Sequence, residues 1–455
     1  MKTILRGAAA LAALAAFSGV HGTAKAADVT YSEPVYSWSG IYVGGYVGAG
    51  ATVARAEADA EIPQVFSFDA DFKGIGGEGL LAGGLIGYNW QVSEQFVLGV
   101  QGDLGWTDLE AKLELGDAEA KAGPDFIANA SLRAGYLVTP ETLFYLIGGY
   151  SYAEYKLDLD GGDDFDQDYD GFHVGTGMET RLTDRLTARI EYRYTKFGGE
   201  DWDTDGFLEI TPSVHTGTLG IAYNLFPTAG DGQIATPVAD IVEPQVSWTG
   251  FYVGANGGAG AVVNRITGDD VDAEFDGVGG EGILGSLMAG YNWQASERFV
   301  LGIQGDIGIA DIKSELDASL AAGPLGFGLN ADAKLDWFAS ASVRAGYLPS
   351  PDTMIYVIGG YSYAHYKLDG ELSVTLDGGE GGEDFSDSAK FGASQDYNGY
   401  HVGTGIESML TDNLTARVEY RFTQYGKEDW GIDGLEVAPS SHTGTIGFAW
   451  LFNDL

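Results

Sequence analysis

Between Leu186 and Thr195 the side chains alternate strictly. Leu186, Ala188, Ile190, Tyr192 and Tyr194 fall on one face of an extended chain, and Thr187, Arg189, Glu191, Arg193 and Thr195 on the other. The same pattern returns at Leu414, Ala416, Val418, Tyr420 and Phe422 against Thr415, Arg417, Glu419, Arg421 and Thr423. From Phe96 an apolar row of Phe96, Leu98, Val100, Leu104 and Trp106 opposes Gln101 and Asp103; Phe299, Leu301, Ile303, Ile307 and Ile309 oppose Gln304 and Asp306 in the same way. A period of two over this length predicts β-strands with one apolar and one polar face.

These matches extend to nearly the whole chain. Ser37–Gly44 returns as Ser247–Gly254, Gly87–Gln91 as Gly290–Gln294, and Ile147–Ala153 as Ile358–Ala364. His173–Gly177 returns as His401–Gly405, Leu186–Arg193 as Leu414–Arg421, and His215–Thr218 as His442–Thr445. Order is kept, so the chain is a tandem duplication of a whole domain. Each copy divides into eight apolar-patterned segments, starting near Trp38, Glu78, Gln95, Asp125, Thr142, Tyr169, Leu186 and Val214, and near Trp248, Glu281, Arg298, Leu335, Thr353, Tyr397, Leu414 and Ser441. Short connections such as Ser93-Glu94 and Thr139-Pro140 alternate with long acidic, Gly-rich ones that read as loops. Short turns at one rim and long loops at the other are the habit of an outer-membrane barrel.

Periodicity does not say which face is inside. Segments of about 11 to 16 residues are long enough to cross a bilayer when tilted, and Tyr88, Trp90, Tyr136 and Tyr192 sit toward strand ends as interfacial girdles do. The polar faces carry opposite charges that a narrow lumen can pair. The predicted fold class is therefore all-β: a transmembrane antiparallel up-and-down β-barrel, as two tandem eight-stranded barrels, with one sixteen-stranded barrel as the alternative. Residues 1–26 read as a signal peptide, with Lys2 and Arg6 ahead of an Ala-rich apolar stretch and Ala24-Lys25-Ala26 as its cleavage site. Residues 27–37 read as a periplasmic lead, 38–226 as barrel unit 1, 227–247 as a Pro-bearing linker and 248–455 as barrel unit 2. A linker of that length, and a complete lead and closing strand in each unit, favour two barrels.

Composition narrows the chemistry. The chain of 455 residues has no cysteine, so thiolate metal sites and cysteine nucleophiles are excluded. A formal charge of −42 repels nucleic-acid phosphates. The expected partners are outer-membrane lipid, lipopolysaccharide and, during insertion, the barrel-assembly machinery; the oligomeric state is open.

The motif Trp-Ser/Thr-Gly-Ile/Phe-Tyr-Val-Gly, at Trp38–Gly44 and Trp248–Gly254, resembles the opening strand of the small outer-membrane β-barrel surface-antigen family of alphaproteobacteria, which includes outer-membrane immunogens, opacity-like porins and hemin-binding proteins. The Gly-Tyr-Asn-Trp blocks, the Thr-Ala-Arg-x-Glu-Tyr-Arg strand and the His-Thr-Gly-Thr close carry the resemblance through both copies. It implies an eight-stranded barrel per unit, an outer-membrane address and surface-exposed loops. Members of that family usually carry one unit, whereas this chain carries two.

The main candidate constellation is Asp103, Arg133, Glu179, Arg189, Glu191 and Arg193, with Asp306, Arg344, Glu407, Arg417, Glu419 and Arg421 as its counterpart. It reads as a lumen charge network, structural or gating. His173, His401, His215 and His442 read as girdle or hydrogen-bonding residues. The run from Asp158 to Asp168 lacks the closing Glu of an EF-hand, so weak association of acidic loops with Ca²⁺ or Mg²⁺ is the most it implies. No resident cofactor is expected; hemin enters through the resemblance alone. The expected function is a structural outer-membrane protein and surface antigen with exposed acidic loops, not an enzyme. The alternatives are a passive diffusion porin and a hemin or host-surface binding protein.

Overall fold

The computed structural model describes residues 37–62, 66–115, 118–159, 165–201, 208–225, 247–268, 273–376, 385–429 and 435–452. The signal peptide, most of the lead, nearly all of the linker and the centre of the Asp158–Asp168 run lie outside the described residues. Unit 1 holds β1 (Gly40–Ile62), β2 (Phe66–Gln91), β3 (Phe96–Thr107), β4 (Ala111–Leu115), β5 (Ala118–Thr139), β6 (Thr142–Leu159), β7 (Phe165–Arg181), β8 (Leu186–Phe197), β9 (Glu200–Asp201) and β10 (Leu208–Asn224). Unit 2 holds β11 (Gly250–Gly268), β12 (Ala273–Ser296), β13 (Phe299–Ala322), β14 (Leu325–Ser350), β15 (Thr353–Leu376), β16 (Phe385–Met409), β17 (Leu414–Tyr425), β18 (Glu428–Asp429) and β19 (Leu435–Phe452).

At membrane level each unit closes on itself. The antiparallel ladder runs β1–β2–β3–β5–β6–β7–β8–β10, and β10 returns to β1 from Tyr42↔Asn224 to Ala58↔Leu208. Unit 2 runs β11–β12–β13–β14–β15–β16–β17–β19 and closes from Phe251↔Phe452 to Gly268↔Leu435. These are two eight-stranded barrels.

Burial now decides the sense of the alternation. Asp103, Arg133 and Arg189 are each 4% exposed, while Leu132, Ile309 and Trp106 are 69%, 72% and 64% exposed. Charged residues inside and apolar residues outside suit a hydrocarbon solvent and invert the order of a protein in water. The eleven-residue segment of β3 from Phe96 to Trp106, tilted, spans about 25 Å, the height of an outer-membrane apolar band. Aromatic pairs mark its edges: Phe96–Tyr136 and Phe299–Tyr347 at the short-turn rim, Trp106–Phe126 at the opposite rim.

Not all of the exterior face meets lipid. Met178, Ile190 and Tyr192 of unit 1 form one buried cluster with Ile406, Val418 and Tyr420 of unit 2. Tyr192 is therefore not a girdle residue, and the rows from Leu186 and Leu414 are only partly lipid-facing. Alternation reports inside against outside, but a second barrel can cover part of the outside.

The strands also overrun the membrane. Segments of about 11 to 16 residues were expected, and β2 and β14 reach 26 each. Much of the acidic sequence that reads as loop is strand continuation, because a hairpin already in register adds ladder hydrogen bonds in water without a new nucleation step. Above the bilayer the pairing changes partners. Phe66–Lys73 of β2 leaves β3 and pairs with Glu315–Ala322 of β13. Ala273–Asp276 of β12 leaves β13 and pairs with Lys112–Leu115 of β4. The two paths cross where Ile75 opposes Val278. Only glycine fits beside that point: a Cβ on Gly76 would lie 2.5 Å from the Cα of Gly279. Each barrel thus donates a strand edge to the other.

Because paired residues share a face, Phe68, Leu320, Phe327 and Val374 line one side of this mixed wall, and it is the side that continues the lumen-facing parity. Asp71, Asp317, Glu371 and Asp369 point to the other. The spaces above the two lumens therefore lie on the same side of one wall.

An arginine at the lipid-facing midplane position Leu132 is expected to destabilise the barrel by about 2–4 kcal/mol. Urea titration of the Leu132→Arg variant refolded in phospholipid vesicles measures this.

Candidate functional site: the charged lumens

The lumen of unit 1 is built from the inward rows of β1, β3, β5, β6, β7 and β8. Tyr42 and Tyr145 come from aromatic-rich strands, Gln101 and Asp103 from β3, Arg133 from β5, Glu179 from β7, and Arg189, Glu191 and Arg193 from alternate positions of β8. The structure brings all six sequence-predicted residues of this unit together. The Arg133 guanidinium donates to Glu179 at 2.8 Å and to the Tyr42 hydroxyl at 2.8 Å, and lies 3.9 Å from the centre of the Tyr145 ring. Arg189 donates to Glu191 at 2.6 Å and to Gln101 at 3.0 Å. Arg193 bridges Glu191 at 2.6 Å and Asp103 at 3.2 Å. Thr187 completes Glu179, and Asn129 completes Asp103, each at 2.7 Å. Three cations meet three carboxylates, so the narrow interior is neutral, as burial in low dielectric requires.

Unit 2 repeats the set with one exchange. Arg344 donates to Glu407 at 2.8 Å and Arg421 to Glu419 at 2.7 Å, while Arg421 stands 3.6 Å from Asp306. Arg417 keeps the glutamine contact, to Gln304 at 2.9 Å, but in place of the glutamate of its own strand it takes Asn256 at 3.2 Å, with Glu407 at 4.0 Å. Asn256 occupies the place of Tyr46 in the first copy. The aromatic bulk that Tyr46 supplies in unit 1 comes in unit 2 from Phe338, at the ladder position of Ile127. Residual cavities beside the two networks are about 40 Å³ and 50 Å³. That is room for a few water molecules, not for a channel.

Both ends are stoppered. At the short-turn rim Trp38 donates its indole N–H to the Pro140 carbonyl at 3.1 Å and packs with Val97, Leu143 and Tyr145; Trp248 donates to Pro351 at 2.9 Å. Gly40 and Gly250, at φ of 142° and 155°, let the chain turn from this plug into the first strand, which accounts for the Trp-Ser/Thr-Gly motif. Toward the outer rim Tyr155, Tyr169 and Phe197 close unit 1, and Tyr366, Tyr397 and Tyr425 close unit 2. The sequence reading missed these plugs and the lumen tyrosines. For the lumen tyrosines, parity with the charged residues was the available signal; Trp38 and Trp248 precede the first strands, where alternation does not apply.

The four repeated histidines divide into two pairs. His173 lies in the lumen with its ring nitrogens on Ser131 at 2.9 Å and Ser151 at 2.8 Å; His401 does the same with Ser342 and Ser362. His215 and His442 lie outside the lumens and are buried. Each has one ring nitrogen 2.6 Å from a tyrosine of its own unit, Tyr192 or Tyr420. The other nitrogen meets a carboxylate of the opposite unit, Glu281 at 3.2 Å and Glu78 at 3.0 Å.

Removing one partner of a buried pair leaves the other uncompensated, at a cost of about 3–5 kcal/mol. Arg133→Met is expected to lower sharply the temperature at which the compact electrophoretic form is lost on heating in SDS. Arg133→Met with Glu179→Leu is expected to recover most of that loss, since the pair leaves together.

Comparison with known proteins agrees with this architecture. The family described as outer membrane protein beta-barrel domain matches twice, over residues 9–224 and 233–452. The chain is 29% identical over 253 residues to a 31 kDa outer-membrane immunogenic protein of Brucella melitensis, covering 53% of this chain and 99% of that one. It is 33% identical over 216 residues to a 25 kDa outer-membrane immunogenic protein of Brucella abortus, covering 45% and 91%. It is 31% identical over 194 residues to a 22 kDa outer membrane protein of Rhizobium leguminosarum bv. viciae, covering 42% and 71%. With both units matched over nearly their full length, the chain belongs to the outer-membrane β-barrel domain family and carries that domain twice.

Proposed function

We propose that this protein is a non-conducting structural component of the outer membrane that displays acidic, strand-supported loops as surface antigens. The carrying observation is the filled lumen. Arg133 is held across the bore by Glu179 and Arg193 by Asp103, Arg189 reaches across to Gln101 and Tyr145, and Arg189 and Arg193 both pair with Glu191 of their own strand, while the cavities beside the two networks are about 40 Å³ and 50 Å³. A gate would need a charge free to swing, whereas each of these guanidiniums is held by two or more partners. The immunogenic outer-membrane relatives support the antigen part of the reading. In planar bilayers the purified protein is expected to give no steady openings; large, long-lived conductance steps would replace this reading with a porin.

The short turns face the periplasm on this reading, and the acidic segments face the exterior. An epitope tag inserted at 377–384 is expected to bind antibody on intact cells. A tag in the Ser93-Glu94 turn is expected to bind only after the outer membrane is permeabilised.

A further inference from the structure

Unit 1 and unit 2 meet along a face that runs the full height of the membrane, and the contacts come in reciprocal pairs. At the periplasmic rim the hydroxyls of Thr142 and Thr353, equivalent residues of the two copies, are 2.8 Å apart. At the outer rim the equivalent residues Ile75 and Val278 oppose one another, beside the touching backbones of Gly76 and Gly279. A residue that meets its own counterpart lies on a two-fold axis, and here this happens at both ends of the face.

Between these points the main contacts come as mirrored pairs, with Tyr194 on Glu281 as an exception, since its counterpart Phe422 has no hydroxyl. Tyr192 of unit 1 lies over Gly444 of unit 2, and Tyr420 of unit 2 lies over Gly217 of unit 1; a Cβ on either glycine would come within 2.1 Å of the tyrosine ring. His215 meets Glu281, and His442 meets Glu78. Ser213 donates to Glu281 at 2.6 Å, and Ser440 to Glu78 at 2.5 Å. Ala51 and Val53 pack with Ala261 and Val263. The strand exchange above the membrane is reciprocal too, β2 going to β13 and β12 to β4.

We propose that this exterior face is a self-complementary homodimerisation surface of the barrel unit, so that the tandem chain is a two-fold barrel dimer fused end to end. Its occupant is a second copy of the unit, here supplied by the chain itself. An isologous face asks for the same residues on both sides, and at every mirrored contact named above both copies carry the same or an equivalent residue. A glutamate at the edge of an apolar belt is costly unless paired, and each copy offers a histidine and a serine to the glutamate of the other. The glycine opposite each tyrosine leaves a seat that lipid fills poorly and a facing ring fills well. The linker then needs only to keep the two copies near each other, which raises their effective concentration and demands no contact of its own.

The test uses the full chain with a protease site placed in the 227–247 segment, inserted into outer membranes and then cleaved. The two halves are expected to elute as one species in mild detergent. With Thr142→Cys and Thr353→Cys added, they are expected to remain joined in SDS without reductant and to part when reductant is present. Separation of the halves on cleavage, with no cross-link between the two cysteines, overturns the proposal. Gly217→Leu with Gly444→Leu fills both tyrosine seats and is expected to abolish co-elution after cleavage while each half keeps its own heat-modifiable mobility; halves that stay together in that variant place the association elsewhere. Self-complementarity is read from a chain in which residues 248–452 are replaced by a second copy of 38–225. Its cleaved halves are expected to co-elute as the wild-type halves do, and their separation would show that the surface is specific to unlike units.

Discussion

Everything in this molecule follows from the fact that hydrocarbon cannot solvate a backbone N–H or carbonyl. A sheet that crosses the bilayer must therefore have no open edge. Eight strands with a period of two meet that demand by closing β1 on β10 and β11 on β19. Closure at eight strands leaves a bore just wide enough for side chains. The inward rows must then fill it, and whatever charge they carry must cancel. Three arginines and three carboxylates per barrel, with tyrosine and glutamine between them, meet both conditions.

The constraint is lifted above the bilayer, and the structure changes character at that height. Water satisfies an open edge, so β2 and β12 are free to leave their membrane-level neighbours and pair across to the other unit. Two closed barrels and one merged outer wall are therefore not competing answers. They hold at different depths of the same strands, and the boundary is the Gly76–Gly279 crossing, where two backbones come too close for any side chain.

The two copies have drifted where drift is tolerated. The lumen exchanges Tyr46 for Asn256 and recovers the lost volume with Phe338, which keeps density while moving the aromatic ring across the bore. The outer segments differ in length and charge. The face between the units exchanges apolar residues of similar size, Met178 for Ile406, Ile190 for Val418 and Ile75 for Val278, and keeps its polar and glycine contacts. Tyr192 and Tyr420, His215 and His442, Glu78 and Glu281, Gly217 and Gly444 stay matched. A residue there must fit a partner from the other copy, so a change in one copy is penalised unless the other changes with it.

The sequence by itself determined the membrane-level strands, their number per copy, the duplication and the sorting of side chains into two faces. These are local properties: alternation is a consequence of the pleat, and Asp103, Arg189, Glu191 and Arg193 could be placed on one inward face without knowing what lay opposite. The same reasoning could not see Trp38 as a plug, Tyr145 as the shelf under Arg133, or Glu78 as the partner of His442. Those relations join residues far apart in the chain, in the last case across two barrels. Alternation has only two values, inward and outward, whereas an outward residue has three destinations: lipid, water and another barrel. Only the tertiary structure assigned Ile190, Tyr192 and His215 to the third, because that assignment depends on which strands of two closed cylinders touch.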